Sequence, residues 1–195
     1  CIRDSTNAID SWSWQGYEGE KAVVEVYANS ASVRLLLNGK EIANKPVKKY
    51  KTLFKLPYQP GTLTAEALDE RGNVISSHSL TTAGEETVLR VTPDKMVLCA
   101  NNQSLCYLPI EFTDKAGNLK PYMEQLVEVA VAGAATLAGF GSALCKTNEV
   151  FDKPYHHSYR GRCLAVLRAG STPGKAKVTV TSAGMEPVTI EVEVQ

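Results

Sequence analysis

Val33-Arg34-Leu35-Leu36-Leu37-Asn38-Gly39-Lys40 is a short β-rich run closed by the strongest local turn signal in the chain. Asn and Gly both accept the positive φ that the two central residues of a tight hairpin require. Working outward, Ala22 to Ala28 reads as a strand before it. Lys51 to Leu56, Leu63 to Leu68 and Val74 to Leu80 follow, separated by Pro57, by Pro60-Gly61 and by the turn Asp69-Glu70-Arg71-Gly72-Asn73. Helical periodicity is nearly absent, and β-rich runs bounded by Gly, Pro, Asn and Asp recur at roughly ten-residue intervals, the pattern of β-sandwiches.

Thr82-Ala83-Gly84-Glu85 is a small, polar break, after which a second series of strands begins at Val88 to Val91. Met96 to Ala100, Leu105 to Phe112, Leu126 to Val131, Cys163 to Arg168, Ala176 to Thr181 and Val188 to Val194 are its further candidates. In the last two, Val178 and Val180, then Val188, Ile190, Val192 and Val194, share one face. Each half holds one Asp-x-x-Gly-Asn turn, Asp69 to Asn73 and Asp114 to Asn118, in which the Asp side chain caps backbone N–H groups. At 195 residues, two domains are expected, residues 1–84 and 85–195. The segment from Gly139 to Gly161 resists the strand reading and is expected to be a long irregular loop, the second place to look for a site.

Composition excludes several classes. The 21 basic residues balance 21 acidic ones, so neither nucleic acid nor an acidic membrane surface is an expected partner, because both need a basic stripe. No apolar run of about 18 residues is present to span a bilayer. The chain opens on Cys1-Ile2-Arg3-Asp4 without Met, which suits a piece of a longer precursor, and a lipid-anchored Cys1 gives the same start. Cys1, Cys99, Cys106, Cys145 and Cys163 contain no Cys-x-x-Cys pair of the zinc or redox type. Bridges between Cys99 and Cys106 and between Cys145 and Cys163 stay open, with buried thiols preferred over either.

Chemistry-bearing constellations are sparse. Glycoside hydrolysis needs two carboxylates about 5 Å apart for retention or about 6.5–9.5 Å for inversion, but the acidic residues here fall at strand edges and turns. His156 and His157 beside Asp152 are read as solvated loop residues rather than metal ligands, since adjacent side chains on an extended backbone point apart. No Gly-x-Ser-x-Gly elbow supports a serine hydrolase, and no helix follows Gly139-Phe140-Gly141-Ser142 to hold a phosphate. Trp12, Trp14 and Tyr17 form the one dense aromatic cluster. Flat aromatic faces stack on the apolar faces of sugar rings, so these three are candidate carbohydrate-binding or interdomain-contact residues, with packing the preferred role.

Trp12-Ser13-Trp14, Gly16, Glu18-Gly19, Val24-Glu25-Val26-Tyr27, Leu36-Leu37-Asn38-Gly39-Lys40, Pro57-Tyr58, Pro60-Gly61 and Thr82-Ala83-Gly84 occur in an order that resembles an accessory domain of β-galactosidase-like family 2 glycoside hydrolases. Ile110-Glu111-Phe112-Thr113-Asp114, Gly133 to Gly141, Glu149-Val150-Phe151 and Tyr159-Arg160-Gly161-Arg162-Cys163 resemble the carboxy-terminal module that follows it. The resemblance implies an all-β chain of two tandem immunoglobulin-like β-sandwich domains. It implies a noncatalytic carboxy-terminal portion that braces an upstream catalytic barrel of the same polypeptide and shapes the substrate cleft, with no cofactor and no metal. A periplasmic or secreted location comes from the resemblance alone. The departure at Gly139-Phe140-Gly141-Ser142 from the family's Gly-Asn-Gly-like loop leaves that loop's contribution open. An independent carbohydrate-binding module and a cell-surface adhesion or spacer domain remain as rivals, because sandwiches serve all three roles.

Overall fold

The computed structural model describes residues 8–195, so the readings placed on Cys1 lie outside the described residues. Every regular element among them is a strand, and no helix among them is long and apolar enough to cross a membrane. The chain divides into two compact units, Cys1–Ala83 and Gly84–Gln195. Both are built from antiparallel sheets packed through apolar faces, an all-β sandwich architecture.

The first unit holds β1 (Lys21–Tyr27), β2 (Ser32–Leu37), β3 (Lys40–Pro46), β4 (Lys51–Pro57), β5 (Thr62–Leu68) and β6 (Val74–Thr81). β1 pairs with β4 in a two-stranded sheet, and a four-stranded sheet runs β3-β2-β5-β6. The period-2 pattern decides what faces inward. Val33, Leu35 and Leu37 of β2 and Phe54 and Leu56 of β4 are buried, and they meet Trp12, Tyr58 and Leu63 in one core. Each such side chain contributes roughly 1.5–3 kcal/mol when fully buried. Asn38 and Gly39 have φ of 52° and 77°, so both central residues of the β2–β3 turn are left-handed, as a type I′ hairpin demands. β3 carries no apolar alternation of its own, and was therefore missing from the strands expected; the turn returns it beside β2.

The second unit holds β7 (Val88–Val91), β8 (Val97–Leu98), β9 (Leu105–Thr113), β10 (Leu126–Gly133), β11 (Ala135–Gly141), β12 (Tyr155–His157), β13 (Arg162–Ala169), β14 (Gly174–Ser182) and β15 (Val188–Val194). One sheet runs β11-β13-β9-β7 and the other β12-β10-β14-β15-β8, with only the β8–β15 pair parallel. Cys106, Leu108, Ile110 and Phe112 of β9 and Cys163, Ala165 and Leu167 of β13 face Val127, Val129, Val178, Val180, Val192 and Val194 from the other sheet.

Three expectations need correction here. The strand expected over Met96 to Ala100 shrinks to Val97–Leu98, because only two residues run beside the end of β15. The Gly139 to Gly161 segment is not one irregular loop. β11 runs through Gly141, Phe140 is buried, and β12 occupies Tyr155–His157. β11 is rich in Ala and Gly, so it lacks the β-branched signature that marks a strand in sequence. His156, expected to be solvated, is fully buried on β12, while His157 beside it faces outward.

Candidate functional site

The Ser11 to Tyr17 segment is fixed from its own backbone upward. Trp12 Nε1 donates to Gln59 O at 3.0 Å, and its ring stands edge-on to Tyr58 with centroids 5.1 Å apart. Thr82 Oγ1 donates to Trp12 O at 2.7 Å, Ala83 N donates to Ser13 Oγ at 2.8 Å, and Trp14 N donates to Tyr58 Oη at 3.1 Å. Together these bonds tie residues 12–14 to Tyr58 and Gln59 and to Thr82 and Ala83 at the end of the unit. Trp12 is only 3% exposed and reaches the groove described below from within the core. Trp14 packs against the same core while staying partly exposed, and Tyr17 is 61% exposed.

Trp14 and Tyr17 line a groove of about 800 Å³ that also touches Asp10, β1, Ala65, His78 and Leu80. Asp10 Oδ1 lies 3.3 Å from His78 Nε2, an exposed pair across the groove wall. Glu25 is held by Lys51 Nζ at 2.9 Å and by the Tyr27 hydroxyl at 2.7 Å. The groove is therefore an apolar trough with a few polar groups at its rim, a shape suited to another surface or to the face of a sugar ring. Asp10, Tyr27 and His78 were missed in sequence. They are polar or aromatic residues on separate strands and segments, and nothing local marks them as neighbours.

The second unit's expected loop is a packed structure. Glu149 accepts from His157 Nδ1 at 2.7 Å and lies 3.3 Å from His156 Nδ1. Burial pushes the Glu149 carboxyl up, but the His157 side-chain and backbone hydrogen bonds and both imidazoles outweigh it and hold it below the ordinary range. Phe151 stacks on His156 with ring centroids 5.6 Å apart, and Phe140 N donates to Phe151 O at 2.8 Å. Among the described residues no group of three metal-ligating side chains converges. Cys99, Cys106, Cys145 and Cys163 are all unbridged. Burial pushes the Cys106 thiol up to about 11 and the Cys163 thiol to about 12, which keeps both as inert core residues. Lys120 is also structural. Its buried ammonium donates to Glu85 O and Thr87 Oγ1, and burial pulls its pKa down.

Comparison with known proteins gives this architecture a family. The glycoside hydrolase family 2 C-terminal domain 5 matches residues 89–191, and a domain of unknown function, DUF4982, matches residues 19–76. The chain is 30% identical to beta-galactosidase BoGH2A of Bacteroides ovatus over 94% of its own length and 22% of the relative's. A family 2 glycosyl hydrolase of Bacteroides cellulosilyticus superposes with a TM-score of 0.89 at 29% identity, covering 96% of this chain and 24% of the other. A beta-glycosidase of Bacteroides vulgatus shares the fold, with a TM-score of 0.87 at 23% identity over 94% of this chain and 24% of that one. The chain thus spans about a quarter of the length of the relatives it matches. It belongs to glycoside hydrolase family 2 and corresponds to the C-terminal region of that family's members.

Proposed function

We propose that this chain is the noncatalytic C-terminal portion of a β-galactosidase-like glycoside hydrolase, bracing the catalytic barrel and shaping the rim of the substrate cleft. One observation carries the reading: a relative aligns over 94% of this chain but only 22% of its own length, which leaves the larger part of that polypeptide to hold a catalytic domain. The reaction would be retaining hydrolysis of a terminal β-linked sugar, with both carboxylates supplied from outside this chain and no cofactor. Trp12 fixes the segment, while Trp14 and Tyr17 face the groove and are the residues offered to the barrel or to the sugar at its rim. A periplasmic or secreted location belongs to this reading by family resemblance alone.

The test uses the longer enzyme with and without this chain. Removing the chain is expected to lower the melting temperature of the catalytic domain, and Tyr17→Ala is expected to raise KM several-fold for a β-galactoside with little change in kcat. Full activity and unchanged melting without the chain sink the bracing role. The exposed Tyr17 ring and the partly exposed Trp14 ring also favour a second reading, autonomous sugar binding. A saturable change in tryptophan emission of the 195-residue chain with galactosides, lost in Trp14→Ala, selects that reading.

A further inference from the structure

We infer that the free edge of β6 is a self-association surface, on which a second copy of this chain adds its own β6 antiparallel about a two-fold axis. Among the described residues β6 pairs with β5 alone. Thr82 N donates to Gly61 O at 2.9 Å, which makes 61/82 a hydrogen-bonded pair. With the register Leu63↔Leu80 and Ala65↔His78, the ladder to β5 then uses residues 76, 78 and 80. The backbone groups of Ser77, Ser79 and Thr81 therefore point away from the sheet.

Among the described residues no backbone bond is made to this edge, which is unusual, because natural sheets blunt their edges with charge, proline, bulges, covering segments or short length. The other sheet edges among the described residues follow that rule. β1 carries Lys21 and Glu25, β4 carries Lys51 and Lys55, and β3 carries Lys40, Lys45 and Pro46. In the second unit β7, β8 and β12 are four, two and three residues long. β11 is bulged between Leu137 and Gly139, and Phe140 N is taken by Phe151 O. β6 runs for eight residues, Val-Ile-Ser-Ser-His-Ser-Leu-Thr, with no Lys, Arg, Asp, Glu or Pro. Its one irregularity lies at its start, opposite Ala67 and Leu68, and leaves Ser76 to Thr81 regular.

The occupant that suits this edge is the same edge on a second copy. Like charges meeting across a two-fold axis are the usual obstacle to self-pairing, and here the strand carries none and the whole chain has a formal net charge of +0. Two-fold symmetry and the outward direction of Ser77, Ser79 and Thr81 favour the register with Ser79 beside Ser79 and Ser77 beside Thr81, which keeps the bulge out of the pairing. The hydroxyl pairs already formed across β5 and β6, Thr64 with Ser79 at 2.8 Å and Thr62 with Thr81 at 3.1 Å, would continue into the partner's serines and threonine. The assignment rests on β6 itself and is independent of the proposed bracing role.

Sedimentation equilibrium of the 195-residue chain tests it over about 5 to 500 μM, the range in which a small interface of this kind associates. The mean mass is expected to climb from 21.1 kDa toward twice that value. Ser79→Lys and Ser79→Glu, each alone, hold the mass at one chain, and their equimolar mixture regains the doubled mass because opposite charges now meet. Ser77→Pro gives an independent block, since its lost N–H faces away from β5 and the ladder inside the unit is kept. Unchanged far-UV circular dichroism shows that each variant is folded. A wild-type chain that stays monomeric throughout, a Ser79→Lys chain that dimerises equally well, or a mixture that stays monomeric each overturns the assignment. Monomeric mass with slow amide exchange at Ser77, Ser79 and Thr81 also overturns it, and gives the edge to a cover within one chain.

Discussion

Trp12 and Tyr17 sit five positions apart and respond to opposite demands. Trp12 fills the core, bonds Gln59 and stands edge-on to Tyr58, so Trp12→Ala removes packing and a partly buried hydrogen bond together. It is expected to cost the first unit about 3–5 kcal/mol, read as a lowered urea midpoint by circular dichroism. Tyr17→Ala, at an exposed position, is expected to stay within about 0.5 kcal/mol of wild type. In the second unit Asp114 accepts from the backbone N–H of Gly84 and Asn118 and from the Asn118 side chain. Burial raises its pKa, and these bonds more than reverse that, leaving it below the ordinary 3.8. The unfolded chain therefore takes up the proton more readily than the folded one. The stabilisation is complete above the ordinary value and is lost as pH falls through the depressed folded one. Asp114→Ala, which strands those N–H donors, should cost about 1.5–3 kcal/mol at pH 7, and urea titrations at pH 5 and at pH 2.5 should show a smaller acid loss than in wild type.

At the scale of elements, the short strand β12 depends on one side chain outside it. Glu149 bonds His157 through both its backbone N–H and its ring, and lies beside the buried His156. Glu149→Ala should free the stretch from residue 142 to 157 while the sheets remain intact. Amide exchange there is expected to speed up about tenfold, corresponding to roughly 1.4 kcal/mol of local opening; unchanged exchange would show that Phe151 alone holds the segment through its stack on His156. This element also marks the limit of what sequence discloses. β7 and β15, with their dense Val and alternation, are visible residue by residue, and the paired Asp turns keep their expected mechanics, with Asp69 capping Arg71 and Asn73 as Asp114 caps Asn118. β11, β12 and β3 are not visible in this way. Ala, Gly, His and Lys make strands there because a neighbour supplies the ladder: β13 and β10 lie far off in sequence from β11 and β12, and β2 is the hairpin mate of β3. The groove follows the same logic, since Trp12, Trp14 and Tyr17 stand out in sequence but Asp10 and His78 meet only after β6 has folded back.

For the whole molecule the decisive feature is that two cores share no residue, one centred on β2 and β4 and the other on β9, β13, β10 and β14. A core lends cooperativity only to the residues whose apolar area it buries, so each unit is a separate cooperative block. Calorimetry of the full chain should then need two transitions to describe it. The variants assign them: Trp12→Ala should lower the transition of the first unit and leave the other in place. Phe112→Ala, which empties a fully buried site on β9, should do the reverse, at a cost of about 3–5 kcal/mol. For units of roughly 80 to 110 residues a loss of 1 kcal/mol moves the midpoint by about 4–8 °C, so shifts of this size separate overlapping peaks. If either substitution lowers both transitions together, the blocks are coupled beyond their cores. A contact made at the groove of the first unit would then stabilise the second as well.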